Sequence, residues 1–211
     1  VEFIEDEFKE GPDKVDSGGE ILHIRERPTA GERTYRVDPS TALITRDSIT
    51  IVPHPYVVDR YGYREHEVAL TFDDGPDGRW TPDILDTLLS RHAPATFFVI
   101  GDNILPHIPL LQREYREGHE IGNHTMTHPN LALVGRWRTA REIDVNEHVI
   151  QSVIDHRTAF FRPPYFGDAT PTTTDELDAV AVATDKKYLT IGLRDDAEDW
   201  QPIPVPQIIH N

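Results

Sequence analysis

The sequence predicts an α/β fold in two parts: a β-rich N-terminal extension over residues 1–66 and a larger domain of repeated strand and helix over residues 67–211. Three observations lead there. Short β-branched and aromatic runs, broken by Gly, Pro, Asp and Ser, fill the first part. From Glu67 onward, buried-type strands alternate with amphipathic helices, the pattern of a parallel sheet covered by helices. Clusters of chemically capable side chains fall directly after those strands, where the ligand sites of such sheets gather. Periodicity leaves open whether the sheet closes into a barrel or stays open and doubly wound.

In the extension, Ile21–Ile24, Thr34–Val37, Ile49–Val52 and Tyr56–Val58 read as strands of hairpins, with no chemical motif among them. Val68–Phe72 is the first buried strand of the repeat. Thr81 reads as a helix N-cap, with Pro82 at the first helical position and Asp83 in the first turn. Ala95–Ile100 is a strand, and Ile104–Glu117 a helix stopped by Gly118. After a short strand at His119–Asn123, Arg136–His156 forms a long helix with Ile143, Val149, Ile150, Val153 and Ile154 on its apolar side. Ala159–Arg162 is a strand, Thr173–Glu176 has the pattern of a capping box, and Tyr188–Leu193 is a further strand. Pro206–Ile209 reads as the first turn of another helix.

Composition narrows the chemistry. The chain has 211 residues, enough for one sizeable core, or for a core domain plus a small extra piece. With 21 Lys and Arg against 37 Asp and Glu, its net charge of -16 argues against nucleic acid as a partner, whose phosphates require clustered cations. The absence of Cys excludes disulfides, Cys-ligated zinc and Cys nucleophiles. No apolar run is long enough to span a membrane, and no signal peptide is recognisable. The chain starts at Val1 without Met, so its termini read as boundaries inside a longer protein with neighbouring domains.

Four clusters carry the chemistry. In Thr71-Phe72-Asp73-Asp74-Gly75-Pro76, two adjacent carboxylates end a strand. Neighbours on an extended chain point in opposite directions, so one can bind a metal while the other faces a substrate water. A capped turn explains the same residue types. An aspartyl-phosphate phosphatase wants one residue between its two Asp, and a calcium loop wants alternating acidic positions and a later Glu; neither pattern is met. In His124-Thr125-Met126-Thr127-His128, the spacing predicts both rings on one face of a helical turn, converging on one ion that neutral imidazole suits, such as zinc. Two ordinary surface histidines among the eleven present are the alternative. His119-Glu120 fails the zinc-protease pattern, because the next His comes five residues on and Gly122 interrupts any helix. Asn123-His124-Thr125 matches a glycosylation acceptor by chance.

The third cluster runs from Phe161 to Asp168 through Arg162, Pro163, Pro164, Tyr165, Phe166 and Gly167. Arg162 can hold a carboxylate in a fixed fork, and the stiffened loop can present the amide near Tyr165 as an oxyanion donor, or simply form a rigid loop with an aromatic plug. In the fourth, Asp196-Ala197-Glu198-Asp199-Trp200, the indole offers a flat face for a sugar ring or for packing.

In this order the four clusters resemble the motifs of the polysaccharide deacetylase family, which shares the NodB homology domain, over about Glu67 to Trp200. The resemblance implies a distorted (β/α) barrel with fewer than eight strands. It implies Asp74, His124 and His128 as ligands of a divalent metal, with zinc the expected ion. Asp73 becomes the catalytic base, Arg162 orients Asp73, and the Tyr165 amide holds the oxyanion. Trp200 lines the acetyl pocket beside Tyr165, and Asp199 joins the catalytic set through the fourth motif. Two departures stand out. Phe166 separates Tyr165 from Gly167, where most members of the family have Gly directly after the aromatic residue. Ile208-Ile209-His210 imitates the strand that carries the family's general acid, but only nine residues lie between Trp200 and His210, too few for the intervening helix. His210 therefore reads as a decoy, and the chain is expected to end before the acid His.

The implied activity is a metal-dependent hydrolase that removes acetyl groups from a polysaccharide containing N-acetylglucosamine, such as a chitin-like polymer, poly-N-acetylglucosamine or peptidoglycan. An O-acetyl esterase acting on xylan, or a carbohydrate-binding domain that keeps the metal without turnover, would use the same residues. The chain is similar to deacetylase segments of larger envelope proteins, some joined to a membrane glycosyltransferase. That implies an extracellular or cell-envelope location, with any membrane attachment made by regions outside this chain.

Overall fold

A computed structural model describes residues 14–15, 21–26, 30–41, 43–52, 57–61, 68–165, 171, 173–193 and 196–209. The chain divides into two compact units, Val1–Glu67 and Val68–Asn211. In the first unit, β1 (Lys14–Val15), β2 (Ile21–Glu26), β3 (Glu32–Val37), β4 (Ile44–Ile51) and β5 (Val57–Tyr61) are all antiparallel. They form one three-stranded sheet, ordered β1-β2-β5, and a separate β3-β4 hairpin. At the hairpin turn, Asp38 Oδ1 accepts from the Ser40 amide at 2.7 Å, an Asx-type turn. β4 starts five residues before the expected Ile49, because Arg46, Asp47 and Ser48 pair with β3 with little apolar alternation to reveal it. Tyr56 lies outside the described residues.

In the second unit, strands and helices alternate as β6 (Thr71–Gly75), α1 (Thr81–Arg91), β7 (Thr96–Val99), α2 (Gly101–Ile104), α3 (Ile108–Arg116), β8 (Glu120–Asn123), α4 (Gly135–Ile154), β9 (Phe160–Phe161), α5 (Thr174–Asp185), β10 (Leu189–Thr190) and α6 (Val205–Ile208). The five strands are parallel and lie in the order β10-β9-β8-β7-β6. That order follows the sequence without reversal. A doubly wound sheet reverses at its switch point, whereas a (β/α) barrel does not. The fold is therefore α/β of the distorted-barrel type, with fewer than eight strands among the described residues.

One core cluster joins Phe97, Val99 and Ile121 of the sheet to Leu85 and Leu88 of α1, Leu111 of α3 and Ile150 of α4. A second gathers Ile143 of α4, Phe161, Ala179, Val182, Ala183 and Tyr188. Ile143 and Ile150 are seven residues apart on one face of α4, so this helix is common to both clusters.

Several boundaries differ from the sequence reading. Thr81 is the first residue of α1 rather than its N-cap, and Trp80 occupies the cap. The Asp77 carboxylate takes the free amides of Arg79 and Trp80 at 2.8 and 2.9 Å, while Thr81 Oγ1 accepts from the Asp77 amide. The single helix expected over Ile104–Glu117 is split into α2, a 3₁₀ turn at Leu105–His107 and α3. Pro106 and Pro109 remove amide donors at both joints. The last two strands shrink to two residues each. The capping box forms: the Glu176 amide donates to Thr173 Oγ1 and the Thr173 amide to Glu176 Oε2.

Glu114 of α3 is fully buried, and neither of its carboxylate oxygens has a partner among the described residues. Burial pushes its carboxyl up to about 8, from an ordinary value of 4.5. The folded state thus binds a proton that the unfolded chain releases. Stability from this group is full below pH 4.5, declines as pH rises, and is lost above about pH 8. Glu114→Leu is expected to raise stability little at pH 4 and by about 2 kcal/mol at pH 9. Parallel thermal melts across that range check it; a pH-independent difference contradicts the assignment.

Candidate metal centre

The centre forms at the carboxyl ends of β6 and β8. On β6 the register with β7 pairs Asp73 with Phe98 and then Gly75 with Val99, so Asp74 is an extra, bulged residue. Its φ of 68° places it in the left-handed region. This bulge, rather than the alternation of a regular strand, separates the directions of Asp73 and Asp74. Asn103 Nδ2 donates to the Asp74 carbonyl at 2.7 Å and fixes the distortion.

The helical turn expected for His124 to His128 is not present; the segment is an irregular loop after β8. Its hydrogen-bonding groups are taken by neighbours instead of by an i→i−4 ladder. The His124 amide donates to Val99 O, and the first amides of α2, from Gly101 and Asp102, donate to Thr125 O and Met126 O. Thr125 and His128 have φ of 72° and 56°. The two rings converge through this backbone: His124 Nε2 and His128 Nε2 lie 3.3 and 3.1 Å from the same oxygen, Asp74 Oδ1. All three donor atoms fall within 4.8 Å of one another. His124 is buried, His128 half-buried and Asp74 exposed, so one side of the group is open to solvent.

The donor chemistry fits a cation. His124 Nδ1 lies 2.7 Å from the Arg162 carbonyl, which can only accept, so Nδ1 carries the ring proton. In the neutral ring, Nε2 then turns a lone pair toward the Asp74 carboxylate. Two acceptors in that arrangement repel unless a positive charge lies between them, either a proton on Nε2 or a bound divalent ion. The two histidines, His124 first and then His128, hold the Asp74 carboxyl well below the usual carboxylate range, so it remains ionised. Asp74, Thr125, His128 and Tyr165 are all non-glycine residues at positive φ. Each costs of order 1–3 kcal/mol, and strain gathered in one place marks a functional site.

Arg162 is 2 % exposed and fully engaged. Nη1 donates to Asp73 Oδ1 at 2.7 Å and to Thr71 Oγ1 at 2.9 Å, Nε to Ile191 O and Nη2 to Gly192 O. Its guanidinium also lies 4.2 Å over the Phe98 ring. The fork holds one oxygen of Asp73, and the other has no hydrogen bond among the described residues. Arg162→Lys keeps the charge but not the planar set of donors; a loss of about 2 kcal/mol in folding stability is expected. Unchanged urea or thermal melts contradict it.

Tyr165 is exposed with φ of 61°, and its ring centroid is 4.8 Å from that of His128. Its amide makes no hydrogen bond among the described residues. Phe166, Gly167 and Asp168 lie outside those residues, as does His210. Asp199 and Trp200 are exposed, and the Trp200 indole donates to Asp196 Oδ2 at 3.3 Å. Among the described residues no hydrogen bond, ion pair or ring contact links either one to the centre; they sit in turns after β10, where no long element directs them. His119 is a buried structural residue that accepts from the Ala95 amide. Asn123 is fully buried, consistent with a chance match to the glycosylation pattern. Sequence reading missed Asn123, Glu142 and Asn146, which hold the histidine loop from below. The available signal was two polar residues, Glu142 and Asn146, four apart beside the apolar stripe of α4.

Comparison with known proteins agrees with this architecture. A family model described as polysaccharide deacetylase matches residues 61–183, more than half of the chain. A peptidoglycan-N-acetylglucosamine deacetylase of Bacillus cereus is 36% identical over 149 residues, covering 71% of this chain and 52% of the relative. A chitooligosaccharide deacetylase of Sinorhizobium fredii is 38% identical over 128 residues, covering 59% and 60%. A crystal structure of a peptidoglycan N-acetylglucosamine deacetylase superposes with a TM-score of 0.61 at 36% identity, over 67% of this chain and 63% of the other. The chain thus spans between half and two thirds of the length of these relatives. On the extent of the family match and the shared barrel fold, the chain belongs to the polysaccharide deacetylase family.

Proposed function

We propose that this chain is part of a hydrolase that removes N-acetyl groups from a polymer containing N-acetylglucosamine, using zinc held by Asp74, His124 and His128. The observation that carries the proposal is the convergence of two Nε2 atoms on one oxygen of Asp74. Two imidazoles and one carboxylate match the donor set of catalytic zinc sites, which leave a coordination position open. The names of the Bacillus and Sinorhizobium relatives support the substrate class and an envelope or extracellular place of action. No helix among the described residues is long and apolar enough to cross a membrane. The two compact units correspond, in this reading, to a β-rich extension and the deacetylase domain.

A divalent cation, when bound, would polarise the acetyl carbonyl and acidify water. The remaining work falls to the chain. Asp73, with one oxygen held by Arg162, uses its other oxygen to take a proton as water attacks the acetyl carbon. The Tyr165 amide donates to the carbonyl oxygen as negative charge develops there. The C–N bond then breaks as the amine takes up a proton, balanced by the one Asp73 removed from the water, and acetate leaves. Trp200 and Asp199 are proposed to meet the substrate. Acetate release from N-acetylglucosamine oligomers, before and after chelation and zinc return, tests the proposal. O-acetyl xylan serves as the comparison. Zinc-dependent release from the N-acetyl oligomer supports the proposal; release only from the O-acetyl polymer overturns the substrate assignment.

A further inference from the structure

Among the polar side chains that helix α4 buries, Glu142 and Asn146 lie one turn apart. Such groups are costly inside a protein unless hydrogen-bonded, so their partners show what they are for. Glu142 meets the loop between the two histidines directly, and Asn146 reaches it through Asn123. Glu142 Oε2 accepts from the Thr127 amide at 2.9 Å and Oε1 from the Thr127 hydroxyl at 2.8 Å. The main-chain oxygen of Glu142 accepts from the Met126 amide at 3.1 Å. One residue thus takes three donors from the two positions before His128. Asn146 secures the other end: its Nδ2 donates to Val99 O and to Asn123 Oδ1, which also accepts from the Thr125 amide. Because the loop has no helical or strand ladder and two residues at positive φ, these bonds fix its course.

We propose that Glu142 is a positioning residue of the metal centre, holding Met126 and Thr127 so that His128 Nε2 meets Asp74 and His124. The inference rests on the metal reading above. Glu142 touches no donor atom itself; it acts through the backbone that aims one of them. Groups that orient ligands from outside the coordination sphere set metal affinity as well as stability.

The test compares Glu142→Leu with Glu142→Gln in the full chain, reading zinc affinity by competition with a chromophoric chelator. A carboxamide can accept from the Thr127 amide through its oxygen and donate to the Thr127 hydroxyl through its nitrogen, so Gln should restore the clamp. Glu142→Leu is expected to weaken zinc binding by about 10- to 100-fold, and Glu142→Gln by no more than a few-fold. Ile150→Val, which loosens the same helix at a purely apolar site, should lower stability without changing zinc affinity. Wild-type affinity in a folded Glu142→Leu, or an equal loss in Glu142→Gln or in Ile150→Val, overturns the proposal. If Glu142→Leu does not fold, Thr127→Val removes only the hydroxyl bond; unchanged zinc affinity there overturns it. If the wild type itself takes up no zinc, the metal reading fails separately. Hydrogen exchange then decides, since Glu142→Leu must speed exchange at the Thr127 amide, and unchanged exchange contradicts the clamp.

Discussion

Asp73→Asn is expected to retain zinc at wild-type affinity and to lose about 10²- to 10⁴-fold in acetate release, the usual weight of a general base. The side chain stays in place, because an Asn oxygen can still accept from Arg162 Nη1, now at 2.7 Å from Asp73 Oδ1. What disappears is a second carboxylate oxygen able to take a proton. Asp73 is outside the group of donors that converge on Asp74, so the metal should not register the change. Single-turnover rates and a zinc titration on one preparation check both halves. A variant that loses zinc moves Asp73 into the ligand set, and a variant with full activity removes it from the chemistry.

Asp74→Gly should have the opposite profile. It removes the oxygen shared by both rings and leaves two imidazoles. Zinc affinity should fall by more than about 100-fold, since losing an outer-sphere partner alone costs 10- to 100-fold. Activity should fall below detection. Yet the metal-free fold should not suffer. Asp74 sits at φ of 68°, a conformation that glycine adopts freely, so relief of strain of about 1 kcal/mol offsets the lost hydrogen bonds. Thermal melts of metal-free wild type and variant should coincide, or favour the variant. A large destabilisation of the metal-free variant contradicts the view that this backbone is strained for the sake of the ion.

The parts of the fold that the sequence displays are those with enough apolar residues to show a period. β7 and β8 carry Phe97, Val99 and Ile121 into the core, and α4 repeats Ile143 and Ile150, so these elements and their parallel winding are legible. β9 and β10 have two residues each and no period to read. At the site, the residue types and their order after strands were visible, but not the backbone that joins them. A helical turn is the simplest way to bring residues four apart together; Thr125 and His128 achieve it with left-handed backbone, held by local bonds to the side chains of Asn123 and Thr125 and by long-range bonds to Glu142 and α2. The bulge at Asp74 is equally hidden, because it depends on the register of β6 against β7. The Arg162–Asp73 pair spans 89 positions, and nothing local in the sequence encodes it.

The central claim is that Asp74, His124 and His128 bind one metal ion. Crystals grown with one equivalent of zinc, measured at the zinc absorption edge, test it most directly. A single anomalous peak about 2.0–2.2 Å from an Asp74 oxygen and from Nε2 of both histidines is the predicted result. A zinc peak on other ligands, or zinc-treated crystals with no peak at this group, would contradict it.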